Sequence, residues 1–110
     1  MSALIEKRCL PCEGGVSALA KEAAADYLQK LHDWKLSADG TEIMRYFHFS
    51  NFYQTMAFVN AVAWIANQEN HHPDLEIGYN YCRTRYSTHA IGGLTENDFI
   101  CAAKIDALTA

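Results

Sequence analysis

The spacing of apolar residues along this 110-residue chain predicts helices that alternate with pairs of strands. Apolar positions recur every three or four residues from Leu19 to Leu31, which predicts a first helix that is capped by Ser17 and ends near residues 32–34. Residues 37–40, SADG, form a turn sequence, and apolar and polar residues alternate over residues 43–49. These features predict a β-hairpin after the first helix.

Residues 50–70 carry a helical pattern with an unusually wide apolar surface. Ser50 or Asn51 is a suitable N-cap, and Gln54 occupies the capping-box position relative to Asn51. Two adjoining apolar stripes follow, one of Phe52, Met56, Val59, Ala63 and Ala66 and the other of Phe58, Val62 and Ile65. Because packing on a sheet needs only a narrower face, two interpretations remain: contact with another subunit, or a deeply buried helix.

Two more strands and a last helix complete the predicted fold. Apolar and polar residues alternate on both sides of a turn near Asn80. The segment GGLTENDF at residues 92–99 predicts a helix start with Thr95 as N-cap and Asp98 in the third position, and the helix is expected to reach about Leu108. The order α-β-β-α-β-β-α predicts an α+β two-layer sandwich. It has a four-stranded antiparallel sheet with three helices on one face, in a single domain over residues 1–110.

Charge and hydropathy exclude several classes of partner. The formal net charge is -4, and the nine Lys and Arg residues are scattered, so the sequence lacks the dense basic stripe typical of nucleic-acid binding. No apolar run approaches the length that crosses a bilayer, and the N-terminus does not follow the signal-peptide pattern. We therefore expect a cytoplasmic protein that binds neither nucleic acid nor membrane.

The four cysteines are expected to be thiols in that reducing compartment. Cys9 and Cys12 form a C-x-x-C motif, which is compatible with a redox pair or with half of a zinc site. Cys82 and Cys101 fall on a predicted strand and a predicted helix, at spacings that do not suit zinc. The motif is therefore interpreted as part of a loop before the first helix, without a metal.

Three histidines lie at chain positions where functional side chains are usually presented. His71 and His72 follow the central helix and precede Pro73, and His89 follows the fourth strand. A hairpin between those points would bring the three rings to one edge of the sheet. Imidazoles suit proton transfer at neutral pH, but three of them also suit zinc. Asp98 has several interpretations as well, since it could orient one ring, hold a polar group of a substrate, or only complete the helix cap.

The stretch NHHPDLEIGYNYCRTRYSTHAIGGLTENDF at residues 70–99 resembles the signature region of the pterin-4a-carbinolamine dehydratases. The segments CLPCEGG, LHDWKL and FHFSNFYQTMAFVNAVAWIA are similar to the same family, so the resemblance covers nearly the whole chain. It implies a dehydratase that converts 4a-hydroxytetrahydropterin, the carbinolamine, to quinonoid dihydropterin and water. This reaction recycles the tetrahydrobiopterin used by aromatic amino acid hydroxylases, and it needs no metal or bound organic cofactor.

The resemblance also implies which residues form the site. His71, His72 and His89 would be catalytic, with His71 and His89 as the acid/base pair and His72 in an orienting role. Four further residues would bind the substrate: Asn70, Ser87, Thr88 and Asp98.

The chain departs from the family pattern at two positions. Many members have an acidic residue four positions before the first histidine, where this chain has Asn67, and an aromatic residue two positions after the proline, where it has Leu75. The first change removes an ancillary carboxylate, and the second alters a wall of the pocket.

The resemblance implies partners and a second candidate function. A homodimer or homotetramer is expected, with an aromatic amino acid hydroxylase as a partner in the pathway. Some relatives are dimerization cofactors of a homeodomain transcription factor and use the central helix as the interaction surface. The wide apolar surface from Phe52 to Ala66 is compatible with that role and equally with self-association.

Overall fold

The computed structural model describes residues 4–10 and 17–109, which form helices over one face of an antiparallel sheet. A short 3-10 helix covers Leu4–Glu6. The α-helices are α1 (Lys21–Leu28), α2 (Phe52–Glu69) and α3 (Glu96–Asp106), and the strands are β1 (Lys35–Leu36), β2 (Ile43–His48), β3 (Asp74–Ile77) and β4 (Tyr81–Tyr86). The strand order is β1-β2-β4-β3, and every neighbouring pair is antiparallel. The predicted α+β fold is confirmed.

The alternating pattern of β2 and β4 gives the sheet one buried face and one open face. Ile43 and Phe47 on β2 lie opposite Tyr86 and Cys82 on β4, and all four side chains are buried. Tyr46, which directly precedes Phe47, points the other way and is exposed. The core therefore lies between this face of the sheet and the helices.

The first helix is shorter than predicted, and Ser17 is not its cap. Helix α1 begins at Lys21, and its N-cap is Ala20, which makes no side-chain capping bond. The backbone N–H of Leu19 donates to the Leu94 carbonyl over 2.8 Å. This bond to the loop before α3 holds the preceding residues outside the helix. Leu31, predicted at the end of the helix, is buried in the turn that follows it.

The central helix buries a single stripe, which takes Phe58 and Val62 from one predicted stripe and Ala66 from the other. Asn51 caps α2 by accepting the N–H of Gln54, as predicted. The Gln54 side chain, however, accepts the N–H of Ser50 and not that of Asn51. The buried positions form the stripe Thr55, Phe58, Val62, Ala66 and Glu69.

The opposite face of α2 is open. Tyr53 is 83% exposed and Trp64 is 67% exposed, so the interpretation of a deeply buried helix is wrong for the single chain. None of the helices within residues 4–10 and 17–109 has both the length and the apolarity to cross a membrane.

The third helix starts as predicted. Thr95 and Asp98 form a capping box, in which each side chain accepts the backbone N–H of the other residue. Helix α3 ends at Asp106, two residues before the predicted end. Cys101 lies on this helix and Cys82 on β4, as predicted, whereas Cys12 lies outside the described residues.

Candidate functional site

The end of α2 fixes the point where the first histidine leaves the helix. Asn70 adopts a left-handed conformation, with φ 52° and ψ 42°, directly after the last helical residue. Asparagine tolerates this conformation because its short polar side chain can form local hydrogen bonds. The N–H of His71 donates to the Ala66 carbonyl over 3.1 Å, which closes the last turn. The direction of the chain at His71 is therefore set by the helix cap.

His71 and Asp98 form a partly buried hydrogen bond across 27 residues of sequence. Nε2 of His71 lies 2.6 Å from Oδ1 of Asp98. The Asp98 side chain is fully buried, and the His71 side chain is 12% exposed, so only the imidazole reaches solvent. A buried carboxylate at this distance fixes the orientation of the ring and favours its protonated form.

The other oxygen of Asp98 is held by the start of α3 and the end of the last strand. Oδ2 accepts the backbone N–H of Thr95 over 2.9 Å and the hydroxyl of Thr88 over 2.8 Å. Asp98 therefore does more than complete the cap, because Oδ2 caps the helix while Oδ1 is bonded to His71. The Asp98 carboxylate is therefore held in place from both of its oxygens.

Tyr86 packs against one face of the same imidazole. The rings of His71 and Tyr86 stack with their centroids 5.5 Å apart and 9° between their planes. Burial lowers the pKa of His71, but the hydrogen bond from Nε2 to Asp98 and the negative charge of Asp98 raise it by more. The pKa of His71 consequently lies above its ordinary value of 6.5.

His72 and His89 meet at the end of the β3–β4 hairpin. Asp74 pairs with Arg85 in the ladder, so the residues before β3 and those after β4 lie at the same end. The ring centroids of His72 and His89 are 6.0 Å apart, and both side chains are exposed. Nε2 of His89 lies 3.6 Å from Oδ2 of Asp74. The hairpin therefore brings two of the three predicted rings, His72 and His89, together.

Two open cavities adjoin these histidines. The first has a volume of about 380 Å³, and its wall includes Asn70, His71 and His72. Asn67 and Leu75, the two positions that depart from the family pattern, also line it.

The second cavity has a volume of about 370 Å³, and its wall includes Ser87, Thr88 and His89. The predicted site residues are therefore divided between these two cavities. Asp98 lies behind the first, because it is fully buried and bonded to His71. Among residues 4–10 and 17–109, no three His, Cys, Asp or Glu side chains form a group that could hold a metal ion.

Sequence reasoning missed the packing around the His71–Asp98 pair. Tyr86 has the same alternation phase as Cys82 and Thr84 on β4, which directs it toward the core. That phase does not identify the ring on which it stacks. The sequence pattern predicts Thr88 as a substrate ligand and does not indicate the bond from its hydroxyl to Asp98.

Comparison with known proteins identifies the family. The model of the family described as pterin 4 alpha carbinolamine dehydratase matches residues 17–108. The chain belongs to this family. The family prediction is confirmed, and so is the prediction of an enzyme of the hydro-lyase class.

Two bacterial relatives match almost end to end. A protein from Nitrosomonas eutropha is 59% identical over 96% of this chain and 92% of its own length, and one from Legionella pneumophila is 59% identical over 97% and 96%. Both carry provisional names as pterin-4-alpha-carbinolamine dehydratases.

Two solved structures share the fold. One, from Brucella melitensis, is described as a transcriptional coactivator/pterin dehydratase. It is 28% identical, with a TM-score of 0.81, over 86% of this chain and all of its own. The other is described as a pterin dehydratase-like RuBisCO assembly factor of the alpha-carboxysome. It is 25% identical, with a TM-score of 0.62, over 72% of this chain and 92% of its own.

Proposed function

We propose that this family member dehydrates 4a-hydroxytetrahydropterin to quinonoid dihydropterin and water by histidine general acid/base catalysis. The observation that carries the proposal is the 2.6 Å bond between His71 and buried Asp98. His71 lies on the wall of an open cavity, which His72 also lines. An imidazole that is partly accessible and held by a buried carboxylate is suited to donate a proton. Membership of the dehydratase family supports the same reaction.

His71 is assigned as the general acid. Because Asp98 raises its pKa, a larger fraction of His71 is protonated at neutral pH than for an unperturbed histidine. Nε2 is engaged by Asp98, so the proton for the substrate comes from Nδ1. It is transferred to the 4a-hydroxyl as the carbon–oxygen bond breaks, and the oxygen leaves as water.

His89 is assigned as the general base that accepts the proton lost from a ring nitrogen. It lines the neighbouring cavity, and its exposed ring can exchange that proton with solvent afterwards. One proton is donated and one is accepted, so the enzyme returns to its starting state after exchange. His72 lies beside His89 and is assigned to orient the substrate.

The surrounding groups are assigned to binding. Asn70 and Ser87 each line one of the two cavities and offer hydrogen-bonding groups to the edges of a flat pterin. Leu75 supplies an apolar wall for a ring face, and Asn67 supplies an uncharged amide in place of the carboxylate found in many relatives. Asp98 acts behind the site by orienting His71.

The test is dehydration in a coupled assay, in which an aromatic amino acid hydroxylase generates the carbinolamine. His71→Ala and His89→Ala should each lose on the order of a hundredfold or more in kcat, the usual contribution of positioned proton transfer. His32→Ala is the matched control, because His32 is exposed and lies near Asp106 at the other end of α3 from Asp98. Wild-type rates in both folded site variants would refute the assignment.

We further propose a single domain over residues 1–110 that works in the cytoplasm without a bound cofactor, as a homodimer or homotetramer. An aromatic amino acid hydroxylase is its proposed partner in the pathway. The open face of α2, with Tyr53 and Trp64, supports self-association.

The same face also supports the second candidate function, a protein-binding cofactor like those known among relatives. Catalysis is preferred, because an interaction module has no need of the buried His71–Asp98 pair. Gel filtration and pull-down separate the two, since an enzyme alone associates only with itself, whereas a cofactor retains a second polypeptide.

A further inference from the structure

Residues 7–10, here called the N-terminal strap, lie along the start of α3. Nζ of Lys7 is 2.7 Å from Oε2 of Glu96. Leu10 exchanges two hydrogen bonds with the Asn97 side chain, 3.0 Å through its backbone N–H and 2.6 Å through its carbonyl. Asn97 directly precedes Asp98 in sequence. The strap is therefore bonded to the turn of α3 that carries the carboxylate of the site.

A buried carboxylate joins the strap to the end of α2. Oε1 of Glu69 accepts the backbone N–H of Cys9 over 2.8 Å, and Oε2 is 3.0 Å from Nε of Arg8. Nζ of Lys104, on α3, lies 4.0 Å from the same oxygen. The Glu69 side chain is only 4% exposed. Burial of a carboxylate is unfavourable unless it is paired and hydrogen-bonded, so these contacts hold the strap and the helix end together.

The strap thus connects the two elements that carry the His71–Asp98 pair. Glu69 is the last residue of α2, and His71 follows two residues later. The 2.6 Å bond between His71 and Asp98 requires the end of α2 and the start of α3 to keep a fixed separation. Cys9 contacts both helices, because its backbone N–H is bonded to Glu69 on α2 and its Sγ lies 3.5 Å from Sγ of Cys101 on α3.

We propose that Glu69 is a positioning residue, which acts through the N-terminal strap to hold the end of α2 against α3 and so sets the geometry of the His71–Asp98 pair. This inference rests on the proposed function and extends it to a residue outside both cavities. A displacement of about 1 Å in such a pair can reduce the rate on the order of a hundredfold, so partial loosening should be measurable.

The test is Glu69→Ala in the full-length chain, with the titration of His71 followed by NMR of its ring nitrogens. The charged and titratable groups that face His71 are Asp98 and Cys101 from α3 and Tyr86 from β4. If the strap loosens, Asp98 no longer stays at hydrogen-bonding distance, and the pKa of His71 should fall toward its ordinary value. In the dehydration assay, kcat should drop on the order of tenfold while KM changes less.

Two further variants make the result specific. Glu69→Gln keeps an oxygen for the Cys9 N–H but loses the charge and the acceptor that faces Arg8, so it should give a smaller effect in the same direction. It also serves if the alanine variant does not fold. Asp106→Asn is the matched control. It removes the charge of another buried carboxylate of α3, at the end of the helix away from Asp98. That carboxylate is bonded to Arg45 over 2.7 Å and to Trp34 over 2.8 Å.

The control variant should lose stability and keep the wild-type titration of His71. An unchanged His71 titration in the Glu69 variants, or an equal shift in Asp106→Asn, would overturn the proposal. The NMR readout uses no substrate, so the strap can fail this test while the dehydratase assignment stands. Conversely, the strap can pass it if the activity assay refutes the assignment.

Discussion

The substitution Asp98→Asn tests the central pair of the site with little change of shape. It keeps the side-chain volume and removes the negative charge that faces His71 at 2.6 Å. The same change weakens the two bonds that Oδ2 accepts from Thr88 and Thr95. We therefore expect a loss of stability, a lower pKa of His71 and a lower rate, all from the removal of one charge.

The expected loss of stability can be compared with that at a second histidine–carboxylate pair, His89 and Asp74. A hydrogen bond to a charged group contributes about 1.5–3 kcal/mol, and Asp98 is fully buried, so Asp98→Asn should lower the free energy of unfolding by on the order of 3 kcal/mol. Asp74 is 48% exposed and lies 3.6 Å from His89. Exposed pairs contribute little, so Asp74→Asn should change stability by less than about 1 kcal/mol.

Urea unfolding at several pH values is the assay, and the sign follows from the raised pKa of His71. A raised folded-state pKa stabilises the protein fully below the ordinary pKa of 6.5, and this contribution disappears as the pH rises through the folded-state pKa. The difference in stability between wild type and Asp98→Asn should therefore be largest on the acidic side and should shrink above that pKa.

Two results would refute this reasoning. Equal losses of stability in Asp98→Asn and Asp74→Asn would mean that burial does not distinguish the two pairs. A difference that grows as the pH rises would mean that the Asp98 charge does not stabilise protonated His71. Catalysis provides an independent check, since loss of the oriented acid should reduce kcat by on the order of a hundredfold.

Three further outcomes follow from the same contacts. Thr88→Val should lower the free energy of unfolding, measured in urea, by about 1.5–3 kcal/mol, because the Thr88 hydroxyl bonds to Asp98 over 2.8 Å. Thr84→Val should lose clearly less, because the Thr84 hydroxyl lies 3.7 Å from a cysteine sulfur. Equal losses would contradict the assigned bond. The kcat/KM of wild type should decline as the pH rises through the folded-state pKa of His71, and Asp98→Asn should shift that decline to lower pH; an unshifted profile would exclude His71 as the acid. Trp64→Glu should reduce the mass measured by light scattering, because a charge on this open face opposes its burial between subunits, and an unchanged mass would contradict association through α2.

Much of the fold could be predicted from local pattern. Period-two alternation located β2 and β4, and the capping signals at Asn51 and Thr95 located the starts of α2 and α3. The start of α1 could not be predicted from local pattern, because Ser17 is a residue type that suits an N-cap but the helix begins at Lys21. The bond from Leu19 to the Leu94 carbonyl, made far along the chain, keeps that segment out of the helix.

The sequence by itself determined the family and the candidate residues of the site, since the spacing of three histidines and one aspartate is written in the chain. Only the tertiary structure decided which partner each one has. It placed the Asp98 carboxylate at hydrogen-bonding distance from His71 and the His89 ring beside the His72 ring. The physical reason is that capping and alternation act within a few residues, whereas the contacts that set a pKa or orient a ring join segments far apart in sequence. Such contacts exist only after the helices have packed on the sheet.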